Sequence, residues 1–137
     1  MLFPFGHGLS YSEFKYSDLN IKKETETDYK VSFKVKNVSD VDGAEVCQLY
    51  VKDVFAMVSR PDKELKGFKK VYLKAGEETV VSIPLDFRSF AYYSSPKKDW
   101  IIENGTFEIL VGASSRNILL TDKIEIKLPY SEQVSQN

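Results

Sequence analysis

Histidine and cysteine, the side chains on which most enzyme and metal chemistry depends, are nearly absent from this sequence. The 137 residues contain one of each, His7 and Cys47. One thiol cannot form an intramolecular disulfide, and one thiol with one imidazole cannot complete a structural zinc site. A Ser–His–Asp triad would depend on His7, which lies between two glycines with no nucleophile elbow beside it. We therefore interpret His7 as a solvent-facing or interface residue, and we predict no catalytic, cofactor-binding or metal-binding residue.

The chain also lacks an excess of positive charge and any long apolar run. Its 19 Lys and Arg against 20 Asp and Glu give a formal net charge of −1, so no basic excess is present to neutralise phosphates. No apolar run approaches the roughly 20 residues of a membrane-spanning helix. These absences predict no nucleic-acid partner and no membrane partner, and they leave both a cytoplasmic and an exported location open.

Acidic residues are plentiful, but none of the 20 stands out as half of a catalytic pair. A glycosidase needs two carboxyl groups roughly 5–10 Å apart in a cleft, and nearly all of these residues occupy turns or the polar positions of strands. The sequence contains no calcium-loop motif and no glycine motif for phosphate or dinucleotide binding. The chain by itself is therefore not predicted to catalyse a reaction.

Alternation of apolar and polar residues is the main structural signal that the sequence does contain. Tyr29, Val31, Phe33 and Val35 alternate with polar residues, which is typical of a half-buried strand. Residues 44–53 are apolar on both faces, as a central strand would be. Seven or eight such strands, with turn residues at roughly 8–12-residue intervals, predict an all-β antiparallel sandwich.

Three local signals refine this prediction. Pro84 cannot donate a ladder hydrogen bond, so it predicts an edge strand or the end of a strand. Residues 87–93 predict a short helical turn or a corner. Asn104-Gly105 predicts a tight hairpin that joins residues 100–103 to residues 106–113.

Two apolar segments of irregular pattern are candidates for packing against another domain. Residues 1–11 contain no charged side chain, although chain termini are usually polar. Residues 54–58 are also unusually apolar for a loop, and they either fold back on the sandwich or contact a neighbour. The chain thus divides into a connector (1–15), a sandwich (16–129) and a polar tail (130–137). The candidate interdomain contacts are Leu2, Phe3, Phe5, Leu9, Tyr11, Phe55 and Met57.

One aromatic group has two interpretations. Tyr92, Tyr93 and Trp100 could form a platform that stacks on a sugar, as in a carbohydrate-binding module. Alternatively they are a corner tyrosine with core or interface packing, which is the more common role of such residues. The sequence favours the packing role.

Five motifs along the chain resemble a known family. They lie at residues 2–11 (followed by Phe14), 44–51, 60–68, 74–77 and 105–116. In this order they resemble the stretch that leads into, and then forms, the C-terminal fibronectin type III-like domain of family 3 glycoside hydrolases, the β-glucosidase family. The similarity covers all but about the last eight residues, and it implies an immunoglobulin-like sandwich.

The resemblance implies a non-catalytic role for this part of the enzyme. In that family an Asp nucleophile lies in an N-terminal domain and the acid/base, usually a Glu, lies in the α/β domain that follows. No position of this chain matches either of them. The expected function is therefore an accessory domain that stabilises the catalytic domains of a retaining β-glycosidase, with a carbohydrate-binding module as the alternative.

Overall fold

The computed structural model describes residues 13–54, 63–129 and 133–134. Within these ranges the chain forms nine strands and one four-residue helix. Their bounds are β1 Phe14–Lys23, β2 Tyr29–Asn37, β3 Gly43–Asp53, β4 Glu64–Leu73, β5 Glu78–Leu85, α1 Phe87–Phe90, β6 Tyr92–Ser94, β7 Asp99–Ile101, β8 Gly105–Ser114 and β9 Asn117–Ile126.

Seven of the strands form two antiparallel sheets, and the other two form a small hairpin. Sheet A has the order β1-β2-β5, sheet B has the order β4-β3-β8-β9, and β6 pairs with β7. The predicted all-β antiparallel sandwich is therefore confirmed. Strand β3 lies inside sheet B as predicted, and β5, which carries Pro84, lies at an edge of sheet A as its proline requires.

The core lies between the inner faces of the two sheets. Every second residue of β2, from Tyr29 to Val35, is at most 4% exposed, and so are the alternating residues of β3 from Cys47 to Val51. This alternation of buried and exposed residues, which predicted the strands, is the pattern that burial of one sheet face requires. Strand β8 contributes to the same core, beginning with Phe107. The fully buried residues of β8 are Phe107, Ile109 and Val111.

The two sheets are in close contact at Gly67. A Cβ atom at this position would lie 2.6 Å from the Cγ2 of Ile83, which belongs to β5 of the opposite sheet. Only a residue without a side chain fits there, which explains a glycine inside the otherwise regular strand β4.

The predicted hairpin at Asn104-Gly105 is wrong. Strand β7 pairs with β6, and β8 pairs with β3 and β9, so the two segments that flank Asn104 belong to different sheets. The Asn104 side chain instead donates from Nδ2 to the carbonyl of Leu128 at 2.9 Å, and its Oδ1 accepts from the Leu128 amide at 3.0 Å. Asn104-Gly105 therefore forms a corner that is stabilised by hydrogen bonds to the backbone of Leu128.

Residues 133–134, which the sequence places in a polar tail, lie beside β7. The amide of Ile102 donates to the carbonyl of Gln133 at 2.8 Å, and Val134 forms an isolated antiparallel bridge with Ile101. The side chain of Gln133 also donates to the carbonyl of Leu128 at 3.1 Å.

Candidate functional site

Helix α1 forms the predicted corner between sheet A and the small hairpin. Asp86 caps it, because its Oδ1 accepts from the Ser89 amide at 3.2 Å while the Ser89 hydroxyl accepts from the Asp86 amide at 2.9 Å. This reciprocal pair is a capping box, which satisfies amides that a helix start would leave free. The cap directs Phe90 into the core, where its ring meets Tyr29 and Phe107 edge to face at centroid distances of 5.6 and 5.2 Å.

The corner brings two of the three candidate sugar-contacting residues together. Tyr93 and Trp100 lie directly opposite each other in the β6–β7 pair, and their ring centroids are 5.6 Å apart at an interplanar angle of 73°. Tyr92 is adjacent to Tyr93 in the same strand, so it faces the other side of the hairpin. The three rings therefore do not share one plane.

The face of the Trp100 ring is also occupied. The guanidinium of Arg88, on α1, lies 4.3 Å from the centre of that ring, within the range of a cation–π contact. Trp100 itself packs against the hydrophobic core. Sequence reasoning did not identify Arg88, because nothing in the local sequence shows that a helical arginine will lie over a ring twelve residues later.

A polar cluster lies at the side of the core between the two sheets. The Tyr16 hydroxyl donates to the Oε2 of Glu45 at 2.9 Å, beside the fully buried thiol of Cys47. Burial is the main cause that raises the pKa of the Tyr16 hydroxyl, and the contact with Cys47 and the charge of Glu45 raise it further. Burial likewise raises the pKa of the Cys47 thiol, which argues against a nucleophilic role because the thiolate is the reactive form.

An open groove of about 580 Å³ lies at one end of the sandwich. It is bordered by the exposed ring of Tyr72 and by two turns whose carboxylates have backbone partners. Asp42 accepts from the Ala75 amide at 2.9 Å, and Glu77 accepts from the Lys74 amide at 2.8 Å. These two carboxylates thus stabilise the turns by accepting hydrogen bonds from backbone amides. The groove residues are Asp42, Gly43, Ala44, Tyr72, Leu73, Lys74 and Glu77.

The described residues contain neither a candidate metal site nor a candidate membrane-spanning helix. No group of three or more His, Cys, Asp or Glu side chains comes together there in a way that could hold a metal ion. No helix in the same ranges is long and apolar enough to cross a membrane. The candidate interdomain residues at positions 2, 3, 5, 9, 11, 55 and 57 lie outside the described residues.

Comparison with known proteins assigns this sandwich. Residues 45–115, which run from β3 into the turn after β8, match the sequence profile of the fibronectin type III-like domain. The chain belongs to this family. The predicted resemblance to a fibronectin type III-like domain is thereby confirmed.

The relatives of this fibronectin type III-like domain are glycoside hydrolases. The chain is 54% identical to thermostable beta-glucosidase B of Acetivibrio thermocellus over 128 residues, which are 91% of this chain and 17% of that protein. It is 46% identical to an exo-alpha-(1->6)-L-arabinopyranosidase of Bifidobacterium breve over 124 residues, 90% of this chain and 16% of that protein.

Solved structures agree with the relatives. A family 3 beta-glucosidase of Bifidobacterium adolescentis superposes with a TM-score of 0.82 at 43% identity, covering 95% of this chain and 20% of that one. The predicted resemblance to family 3 glycoside hydrolases is confirmed. The fibronectin type III-like domain spans at most about a fifth of the length of these relatives.

Proposed function

We propose that this chain is a non-catalytic accessory domain of a family 3 glycoside hydrolase that hydrolyses O-glycosyl bonds. The observation that carries the proposal is the pattern of coverage: nine tenths of this chain matches 17% of a beta-glucosidase. More than four fifths of that relative has no counterpart here, which is ample length for its catalytic domains. The proposed partners are therefore the catalytic domains of a retaining β-glycosidase.

The range of related enzymes supports a structural role over a role in sugar selection. Domains 54% and 46% identical to this one occur in a beta-glucosidase and in an arabinopyranosidase. A domain that determined which sugar is cleaved would be expected to differ more between enzymes that act on different sugars. We therefore assign sugar specificity to the catalytic part of the protein.

The apolar segments outside the described residues complete the proposal. Burying Phe3, Phe5 and their apolar neighbours against the catalytic domains would contribute on the order of 2 kcal/mol for each side chain at most. Such contacts would stabilise the enzyme even after ordering costs are subtracted. The proposed anchors are Leu2, Phe3, Phe5, Leu9, Tyr11, Phe55 and Met57.

A domain replacement in the Acetivibrio thermocellus enzyme tests the proposal. Three proteins are compared: the intact enzyme, the enzyme without its matching region, and a chimera that carries this chain in its place. We expect truncation to lower the melting temperature and the turnover of an aryl β-glucoside, and the chimera to recover both. This chain alone should turn over no substrate.

Two results would contradict the accessory role. One is a truncated enzyme as stable and active as the intact one. The other is turnover by this chain alone that survives repurification. A chimera with Phe3 and Phe5 changed to Ala separately tests the anchoring segment, because unchanged stability and activity would show that this segment does not anchor the domain.

A further inference from the structure

The outer face of sheet B carries an apolar strip where β3 and β4 pair. Phe68 and Tyr72 of β4 are 66% and 72% exposed, and Leu65 and Val46 are 49% and 39% exposed. The register pairs Phe68, Tyr72 and Leu65 with alternate residues of β3, which all lie on one face of that strand. These three side chains and Val46 of β3 therefore share the outer face of sheet B. We call the four residues Val46, Leu65, Phe68 and Tyr72 the β4 strip.

The position of the strip at a sheet edge makes it a liability if it stays uncovered. Strand β4 is one of the two edge strands of sheet B. An exposed apolar edge strand invites pairing with other chains, and natural proteins usually shorten such strands, charge them or cover them. Here the strand is ten residues long. It carries Lys66, Lys69 and Lys70, yet Phe68 and Tyr72 remain exposed beside them, and Lys70 lies 5.0 Å over the ring of Tyr72.

The opposite outer face has a different chemistry. Lysines dominate the outward positions of β1 and β2, and the register places Lys15 opposite Lys36 and Lys22 opposite Lys30. Ammonium groups are strongly hydrated, and like charges directly opposite each other destabilise a sheet. This face is suited to solvent. Burying the β4 strip against a partner would therefore cost less free energy of dehydration than burying the lysine-rich outer face of sheet A.

The path of the chain also points to the strip. The carbonyl of Glu13, the first described residue, accepts from the Val38 amide at 2.9 Å. Asn37, next to Val38, donates to the carbonyl of Leu73 at 3.1 Å, and Leu73 follows Tyr72. Glu13 therefore lies at the same end of the sandwich as Tyr72, the last residue of the β4 strip.

We infer that the β4 strip is the surface through which this domain docks onto an apolar surface of the catalytic portion of the same polypeptide. The inference rests on the proposed function, and it adds the contact surface that the sequence did not identify. The relatives indicate what would cover the strip. In each of them the part outside the matching region is at least four times as long as that region, and this part would include the catalytic domains.

Oxidative footprinting of the chimera and of this chain alone measures the contact directly. We expect hydroxyl radicals to modify Phe68 and Tyr72 several-fold more slowly in the chimera than in the isolated chain. Equal rates in a chimera that is as stable as the intact enzyme would overturn the docking surface while leaving the accessory role intact. A chimera no more stable than the truncated enzyme would instead overturn the proposed function.

A matched pair of variants provides a second readout. Phe68→Lys is compared with Val80→Lys, since Val80 is 60% exposed on the lysine-rich face. Both should leave the melting temperature of the isolated chain unchanged, and only Phe68→Lys should lower that of the chimera. Equal effects of the two variants in the chimera would contradict the docking surface. Concentration-dependent dimers of the isolated chain that Phe68→Lys abolishes would assign the strip to a second copy and overturn the inference.

Discussion

The side-chain amide of Asn37 donates to the backbone carbonyl of Leu73 at 3.1 Å, and this bond joins β2 of sheet A to β4 of sheet B. The same amide donates to the carbonyl of Val41 at 2.8 Å, while Oδ1 accepts from the amide and hydroxyl of Ser39. Asn37 is fully buried. One polar side chain therefore closes the end of the sandwich at which the chain enters.

Replacing Asn37 should destabilise the domain strongly. Asn37→Ala removes these bonds and leaves the Leu73 carbonyl without its side-chain partner, which we expect to lower the free energy of unfolding by about 2–3 kcal/mol. Asn37→Asp should be at least as damaging, because it places a carboxylate against two carbonyl oxygens. Urea denaturation measures both. Asn20→Ala, at an exposed position of β1, is the control and should change stability by no more than about 0.5 kcal/mol.

An alanine at Gly67 should be poorly tolerated and should couple to Ile83. The new methyl would meet the Ile83 Cγ2 at 2.6 Å, and overpacking of this kind costs about 1–3 kcal/mol. Ile83→Ala alone should cost about 2–5 kcal/mol through the cavity that it leaves. The double variant should lose less stability than the sum of the two, and strictly additive losses would show that the sheets do not meet here.

Alkaline pH should destabilise the domain through Tyr16 and Cys47. In the unfolded chain these groups ionise near 10.0 and 9.0, and burial raises both pKa values in the folded state. The unfolded state therefore loses protons first as pH rises, so this contribution to stability is complete below about pH 8.5 and declines above it. Urea denaturation at about pH 7 and about pH 10.5 measures the decline.

Tyr16→Phe isolates the tyrosine contribution to this alkaline loss. The variant retains a ring that can stack on Phe33, as Tyr16 does at a centroid distance of 5.8 Å. It loses the hydrogen bond to Glu45, so it should be about 1 kcal/mol less stable at neutral pH. Its loss of stability at high pH should be smaller than that of the wild type. An unchanged loss would mean that Tyr16 does not titrate between the two states.

The isolated domain should not bind sugars through Trp100. Its ring is covered by Arg88 and stands at 73° to the ring of Tyr93, so no flat platform is offered. Because Trp100 is the one tryptophan, its fluorescence reports on this corner alone. Titration with millimolar gluco-oligosaccharide should leave the emission unchanged, whereas Arg88→Ala should alter it. A saturable change in the wild type would revive the carbohydrate-binding alternative.

Local patterns predicted the strands but failed where a turn signal competed with long-range contacts. Asn104-Gly105 has the composition of a hairpin turn, yet Asn104 bonds to Leu128, 24 residues away. No local propensity encodes that partner. Similarly, the turn that joins β6 to β7 at residues 95–98 carried no hairpin motif, and its pairing of Tyr93 with Trp100 emerges only from the register.

The sequence by itself determined which residues of the regularly alternating strands, such as β2, face the core, because one-sided burial of a strand imposes a period of two. It also determined the family, through motifs spread along nearly the whole chain. Only the tertiary structure decided which strands are neighbours, where the sheets touch at Gly67 and Ile83, and which apolar residues are left on the surface. Phe68 and Tyr72 look like ordinary strand residues in the sequence, and their exposure follows from their place on the outer face of sheet B, which depends on the pairing of the whole chain.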